Sequence, residues 1–299
     1  MQQSRHRLKW VIAVVAVVGY AASPAGAHAP KSLNGVPLPH DASRVVSLSD
    51  ASTEDLFAIG AGRQVVAADE FSTYPKAAPT TKLSAIDPNA EAIANYRPDL
   101  VVIADDIHNI GSQLAALHIP VLYLPAPANL NGAYAQMQEL GAVTGRRAEA
   151  GRLVGHLQHR VTMILKSVKR ATPPVSVYHE LDQTYYSATS RTFVGQIYSL
   201  LGLRNIADRA RKAAAYPQLS SEYIVSADPD VIVLADTVCC GQSAKTVGKR
   251  PGWNQIAAVR DHHVLAVNDT VASEWGPRIV DFLAEVAREV RKVEEVRRR

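Results

Sequence analysis

Two stretches decide the fold: Arg97-Pro98-Asp99-Leu100-Val101-Val102-Ile103-Ala104 and Asp228-Pro229-Asp230-Val231-Ile232-Val233-Leu234-Ala235. In each, Pro-Asp ends a short helical segment and an unbroken apolar run rich in β-branched residues follows. Such a run reads as a strand buried on both faces, as in a parallel sheet covered by helices. In each, a glutamate (Glu91, Glu222) stands seven residues before the proline. One unit used twice predicts two related lobes.

The same grammar extends outward from both stretches. Val45-Val46-Ser47-Leu48 is a strand, and Ser49 to Glu54 supply helix-capping side chains before Leu56, Phe57 and Ile59. Val65 to Ala68 is a second strand, Ala90 to Tyr96 a short helix, Ile110 to Leu117 another, and Pro120 to Leu124 a further strand. The second half opens with a strand from Val175 to Tyr178. Helices follow over Thr192–Leu201 and Ser221–Ser226, then a strand over Val264–Val267 and a closing helix from Arg278 to about Val296. Strands alternating with helices predict parallel sheets with right-handed crossovers. Leu153, Leu157, Val161, Ile164 and Val168 recur at helical spacing. The resulting organisation is an N-terminal α/β lobe over 44–146, a linking helix over 147–170 and a C-terminal α/β lobe over 171–296. A long helix joining two lobes predicts little hinge motion and a largely preformed cleft.

Residues 1–27 have the grammar of an export signal. Arg5, His6, Arg7 and Lys9 precede an apolar run from Trp10 to Ala22, and Ala25-Gly26-Ala27 offers small residues for cleavage. That apolar run is shorter than the roughly 20 residues a spanning helix needs; an uncleaved anchor is the alternative. Cleavage is expected after Ala27, with Ala29 as second choice, and residues 28–43 form an irregular lead-in. The net charge of +4 rests on 32 bases and 28 acids. Removing Arg5, Arg7 and Lys9 leaves a body close to neutral, which gives nucleic acid little purchase. With 47% hydrophobic and 20% charged residues, the 299-residue chain is neither disordered nor a polytopic membrane protein. Its two cysteines, Cys239 and Cys240, are adjacent. They read as two small buried side chains or free thiols, able to bridge only as a small ring, so the fold is expected to rest on its core.

The segments Arg44-Val45-Val46-Ser47-Leu48-Ser49, Thr53-Glu54 and Leu56 to Gly62 resemble the first strand and helix of a known family. So do Glu91 with Arg97 to Val102, His118-Ile119-Pro120-Val121, Leu201 to Ala207, and Trp253 with Ala257-Ala258-Val259 and His263-Val264. The family is that of the substrate-binding proteins of ABC importers for iron-siderophore, haem or cobalamin, and the resemblance covers roughly residues 43–290. It implies two α/β lobes joined by a backbone helix, with ligand held between them. It also implies docking on an ABC importer permease through one surface glutamate per lobe, at Glu91 and Glu222. The alternative for each is a carboxylate that merely suits a helix N-terminus. Family members often have Ser-Pro after the first strand; here Ser49-Asp50 stands instead. The absence of a lipid-anchor cysteine after the signal fits a free periplasmic protein, and a monomer is expected.

In open α/β sheets ligands bind beyond the carboxyl ends of the strands. That rule selects Ser49, Asp50, Glu70, Tyr74 and Asp105 in the first lobe. In the second it selects the loops His179–Tyr186, Thr237–Gln242 and Asn268–Trp275, with Tyr185, Tyr186, Gln242 and Trp275 as binding candidates. Tyr74, Tyr185, Tyr186 and Trp275 offer flat walls to a macrocycle, though an alternating strand would send only one of Tyr185 and Tyr186 to the cleft. Arg278 opens the last helix, where the helix dipole disfavours it, so it needs a partner: a ligand carboxylate or a lobe acid. Asp106, His108 and His179 add polar contacts or metal ligands, but no bare-metal spacing is present. Loops with neutral, aromatic and acidic groups favour cobalamin or another corrinoid over anionic ferric siderophores, with haem next. An exported hydrolase lacks support, since there is no Gly-x-Ser-x-Gly, zinc-peptidase or phosphate-loop motif. A sensor or scavenger working without a permease is the third reading.

Overall fold

The computed structural model describes residues 30–169, 171–210 and 214–298. The export-signal reading of residues 1–27 lies outside the described residues.

The first half holds β1 (Val45–Leu48), α1 (Asp50–Ala58), β2 (Val65–Asp69), β3 (Thr80–Leu83), α2 (Ala90–Ala94), β4 (Leu100–Ile103), α3 (Ile110–Ala116), β5 (Val121–Tyr123) and α4 (Leu130–Val143). Its five strands form one parallel sheet in the order β3-β2-β1-β4-β5. The long helix α5 (Arg147–Ser167) follows; 21 residues span about 30 Å. The second half holds β6 (Ser176–Glu180), α6 (Phe193–Leu200), β7 (Arg204–Asn205), α7 (Ser221–Ala227), β8 (Val231–Leu234), α8 (Thr237–Cys240), α9 (Ala244–Val247), α10 (Ala257–Arg260), β9 (Val264–Ala266), α11 (Asp269–Ser273) and α12 (Ile279–Arg297). Its four strands are parallel in the order β7-β6-β8-β9.

The unbroken apolar runs have the cause the sequence suggested. Val45, Leu100 and Val102 pack to one face of the first sheet, whereas Val46, Leu48, Val101 and Ile103 pack to the other. In the second sheet Val177, Val231 and Val233 face one cluster, and Tyr178, Ile232 and Leu234 the opposite one. Each buried aliphatic side chain contributes about 1.5–3 kcal/mol, so neither face tolerates a polar residue cheaply. Along α12, Ile279, Val280, Phe282, Leu283, Val286, Ala287, Val290 and Val293 form the buried stripe, which packs beside α5 on the second sheet.

The repeated Pro-Asp has a structural function in both halves. Asp99 accepts from the backbone N–H of Ser43 and of Arg44, at 2.8 and 2.9 Å, pinning the start of β1 beside β4. Asp230 accepts from the N–H and hydroxyl of Ser176, at 2.7 and 2.6 Å, pinning β6 beside β8. Burial alone would raise both carboxyls, yet these donors hold both below the ordinary aspartate range.

Two expectations need correction, and two edge strands escaped the sequence reading. His179 and Glu180 are not cleft-loop residues: β6 runs on through Glu180, and both side chains are buried. The His179 ring sits 2.6 Å from the Tyr198 hydroxyl, and burial pushes it down to about 4. Cys239 and Cys240 are neither buried nor free; they form an exposed disulfide on α8. The edge strands β3 and β7 carry no apolar run, the first reading Thr-Thr-Lys-Leu and the second only Arg-Asn.

Candidate functional site

The carboxyl end of β1 leads into α1 through Ser49, whose hydroxyl accepts from Ser52 N–H at 3.2 Å. Ser49 is therefore committed to capping the helix. Asp50 follows, accepts from Ala51 N–H at 2.9 Å, and lies near Glu274, which leaves α11 in the second half. One turn along α1, the buried Glu54 meets the opening of α12. Arg278 donates from Nε to Glu54 Oε2 at 2.6 Å and from its backbone N–H to Oε1 at 3.0 Å. The Arg278 guanidinium also lies 3.7 Å from the centre of the Tyr74 ring. Trp275, between Glu274 and Arg278, packs on the core of the second sheet. These contacts bring the loops beyond the carboxyl ends of the two sheets together. Of the two partners open to Arg278, the structure supplies an acid of the other lobe.

Neighbouring buried carboxyl groups resist carrying charge together. Burial pushes Glu274 up to about 9, reinforced by the charge of Asp50. Burial also raises Asp50, Glu54 and Asp69. Asp69, at the end of β2, accepts from Phe71 and Ser72 N–H at 3.0 and 2.8 Å and shapes the turn that carries Tyr74.

A second cluster stands at the carboxyl ends of β6 and β8. Arg250 grips Glu180 with two bonds of 2.6 and 2.7 Å, and its guanidinium lies 4.5 Å from the Trp253 ring and 5.4 Å from the Tyr185 ring. Tyr178 donates to Glu180 at 3.1 Å, and Gln242 Oε1 accepts from Arg250 at 2.8 Å. The adjacent Asp236 is fully buried. Burial, then the charge of Glu180, push it up to about 7.

The predicted residues thus divide. Tyr185 adopts a left-handed φ of 70° and stacks on Trp253, so it belongs to the second cluster, whereas Tyr186 is exposed. Gln242 belongs with Tyr185. Asp50, Tyr74 and Arg278 come together between the halves, whereas Trp275 packs on the second core. Glu70 and Asp105 are exposed. Sequence reading missed Glu54, Asp236 and Arg250, and placed Glu180 in a loop rather than at the end of β6. The available signal was a carboxylate directly after an apolar strand, at Glu180 and Asp236.

Large exposed apolar side chains gather beyond the strand ends: Phe71 and Tyr74 after β2, Ile86 after β3, Tyr186 after β6 and Val238 after β8. Elsewhere, Glu91 and Glu222 are exposed and occupy the same place in two short helices. Each stands two residues after a cap, Asn89 accepting from Ala92 N–H and Ser220 from Tyr223 N–H. Its own backbone amide and the Ser220 hydroxyl hold Glu222 below the ordinary range.

Among the described residues, no group of three or more His, Cys, Asp or Glu converges to hold a metal ion, and no helix is long and apolar enough to cross a membrane. The periplasmic binding protein family matches residues 45–270. A cobalamin-binding protein of Halobacterium salinarum is 31% identical over 266 residues, covering 86% of this chain and 71% of its own. A periplasmic heme-binding protein from Roseiflexus sp. RS-1 shares the fold at a TM-score of 0.73 and 24% identity, over 84% of this chain and 98% of its own. The periplasmic vitamin B12 binding protein of Vibrio cholerae does so at 0.66 and 22%, over 86% and 99%. A match over most of the chain, on two parallel sheets joined by a long helix, makes this protein a substrate-binding protein of the periplasmic binding protein family.

Proposed function

We propose that this chain captures a corrinoid of the cobalamin class between its lobes and delivers it to an ABC importer permease, without catalysing a reaction on it. The observation that carries the reading is the 31% identity to a cobalamin-binding protein across 86% of the chain. The chemistry of the cleft supports it. Arg278 and Arg250, the guanidiniums beside the strand ends, are held by Glu54 and Glu180. Neither offers free positive charge to the carboxylates of haem or to an anionic siderophore. The exposed rings of Tyr74 and Tyr186 suit the flat face of a macrocycle, and Glu70 and Asp105 suit its neutral amide edge. Tyr185 and Gln242 serve by fixing Arg250, and Ser49 by fixing α1.

Delivery is assigned to Glu91 and Glu222, whose matched exposed positions would let each meet a permease arginine in a bidentate pair. Replacing both with alanine is expected to abolish uptake while leaving ligand affinity unchanged.

The direct test is calorimetric titration of the chain from His28 onward with cyanocobalamin, haemin and a ferric triscatecholate in parallel. One-to-one binding of cyanocobalamin, tighter than of the other two, is expected. Binding of haemin or the ferric chelate alone would replace the corrinoid with that ligand.

A further inference from the structure

β8 ends at Leu234, and the chain passes through Asp236 into α8, so Val238, Cys239, Cys240 and Gly241 stand beyond the carboxyl end of that strand. All four are exposed, Val238 at 71%. The segment is nevertheless held firmly. The Asp269 carboxylate accepts from the backbone N–H of Thr237, Val238 and Cys239, at 2.7, 3.0 and 2.7 Å. Thr237 also donates its hydroxyl to the Val267 carbonyl at 2.6 Å. Burial would raise the Asp269 carboxyl, yet these donors hold it below the ordinary aspartate range. Gly241 closes the turn with a left-handed φ of 66°, and its N–H returns to the Thr237 carbonyl at 3.1 Å. Asp269 opens α11, which leads to Glu274 and Arg278 between the lobes, and Gln242 on the other side accepts from Arg250. The exposed segment is thus tied to both arginine clusters, at the end of the sheet where ligands of open α/β folds bind.

The fold has little use for the bond between Cys239 and Cys240. A disulfide stabilises mainly by closing a loop in the unfolded chain, and adjacent residues enclose no chain between them. What the bond changes is the surface. It replaces two oxidisable thiols with a neutral ring that has no S–H donor, and its polarizable sulfurs pack favourably on a ring system. An apolar surface already fixed by hydrogen bonds to Asp269 needs no further ordering when a ligand covers it. We propose that Val238 and the Cys239–Cys240 disulfide form an apolar contact platform for the bound macrocycle, on the second-lobe side of the cleft. The contact is van der Waals packing against the apolar face of the ring system, with no bond to its metal. The inference deepens the corrinoid reading and rests on it. The occupant is the ligand rather than the permease, because the anchors of the segment, Asp269 and Gln242, lead to the strand-end clusters, whereas Glu91 and Glu222 stand on α2 and α7.

The test is the reduction of this disulfide in the wild-type chain from His28 onward, with and without saturating cyanocobalamin. A water-soluble phosphine reduces the bond to two thiols and is itself oxidised to the phosphine oxide; alkylation and mass spectrometry count the thiols. Reduction is expected to slow by on the order of tenfold or more with ligand bound, since attack needs access to sulfur. The double variant Cys239→Ser with Cys240→Ser, checked for helix by circular dichroism, supplies the second readout. Its affinity for cyanocobalamin is expected to fall by roughly threefold to tenfold, the range of a sulfur–ring contact. Reduction that proceeds equally fast with and without bound ligand overturns the platform and leaves the corrinoid reading standing. So does unchanged affinity in the folded variant. A wild-type chain that does not bind cyanocobalamin overturns the corrinoid reading and the platform with it.

Discussion

The two arginine–carboxylate clusters use the same parts in different mechanical settings. In the second lobe, Glu180, Asp236 and Arg250 all belong to one sheet and its loops. In the cluster between the lobes, Glu54 and Asp50 come from α1, whereas Arg278 and Glu274 come from the far end of the chain. Each arginine lies against aromatic rings and holds one glutamate, and each cluster includes a carboxyl pushed up by burial. The difference is how strain is relieved. A damaged cluster within a lobe must keep its charge buried or unfold the lobe. A damaged cluster between lobes can rehydrate by letting the lobes part.

That contrast orders the expected effects. Arg250→Ala leaves Glu180, with a side chain 0% exposed, without its cation. It is expected to cost about 3–5 kcal/mol in urea unfolding. Arg278→Ala strips Glu54, 7% exposed, of the same partner. Its expected cost is only about 1.5–3 kcal/mol, the worth of hydrogen bonds to a charged group, accompanied by a larger radius of gyration. Equal costs with no change in radius would erase the distinction.

Asp236→Asn sharpens the comparison through pH. The folded carboxyl sits at about 7 against an ordinary 3.8, so between those values the native state binds more protons than the unfolded one. Stability therefore falls as pH rises through this window. Asparagine fills the same volume without titrating and is expected to flatten that slope. Melting temperatures between pH 4 and 8 check it. The smallest expected effect is at the rings. Tyr74→Leu is expected to cost about 0.5–1 kcal/mol of cation–π attraction, and Tyr185→Leu more, because Tyr185 also stacks on Trp253.

Much of the fold was legible because burial on both faces writes itself into sequence as an apolar run: Leu100 to Ile103 and Val231 to Leu234 allow little else. Two of the edge strands, β3 and β7, were not, since Thr80 to Leu83 pairs on one side only and needs no such run, and Arg204-Asn205 is too short to show one. Within the site, the rule that ligands lie beyond strand ends found Tyr74 and Asp50, and an arginine at a helix start, disfavoured by the dipole, singled out Arg278. It could not give Arg278 its partner, because Glu54 lies 224 residues earlier, where a glutamate on a helix reads as a surface residue. Tyr185 misled for a local reason. Its left-handed backbone turns the ring onto Trp253, and nothing in Thr-Tyr-Tyr-Ser announces a positive φ.

The most direct test of the central claim is a crystal structure of the chain with cyanocobalamin. The account predicts the corrin ring between the lobes, against Tyr74 and Tyr186, with Arg278 still on Glu54 and Arg250 still on Glu180. A corrinoid seated away from the strand ends, or one that takes either arginine from its glutamate, would contradict it.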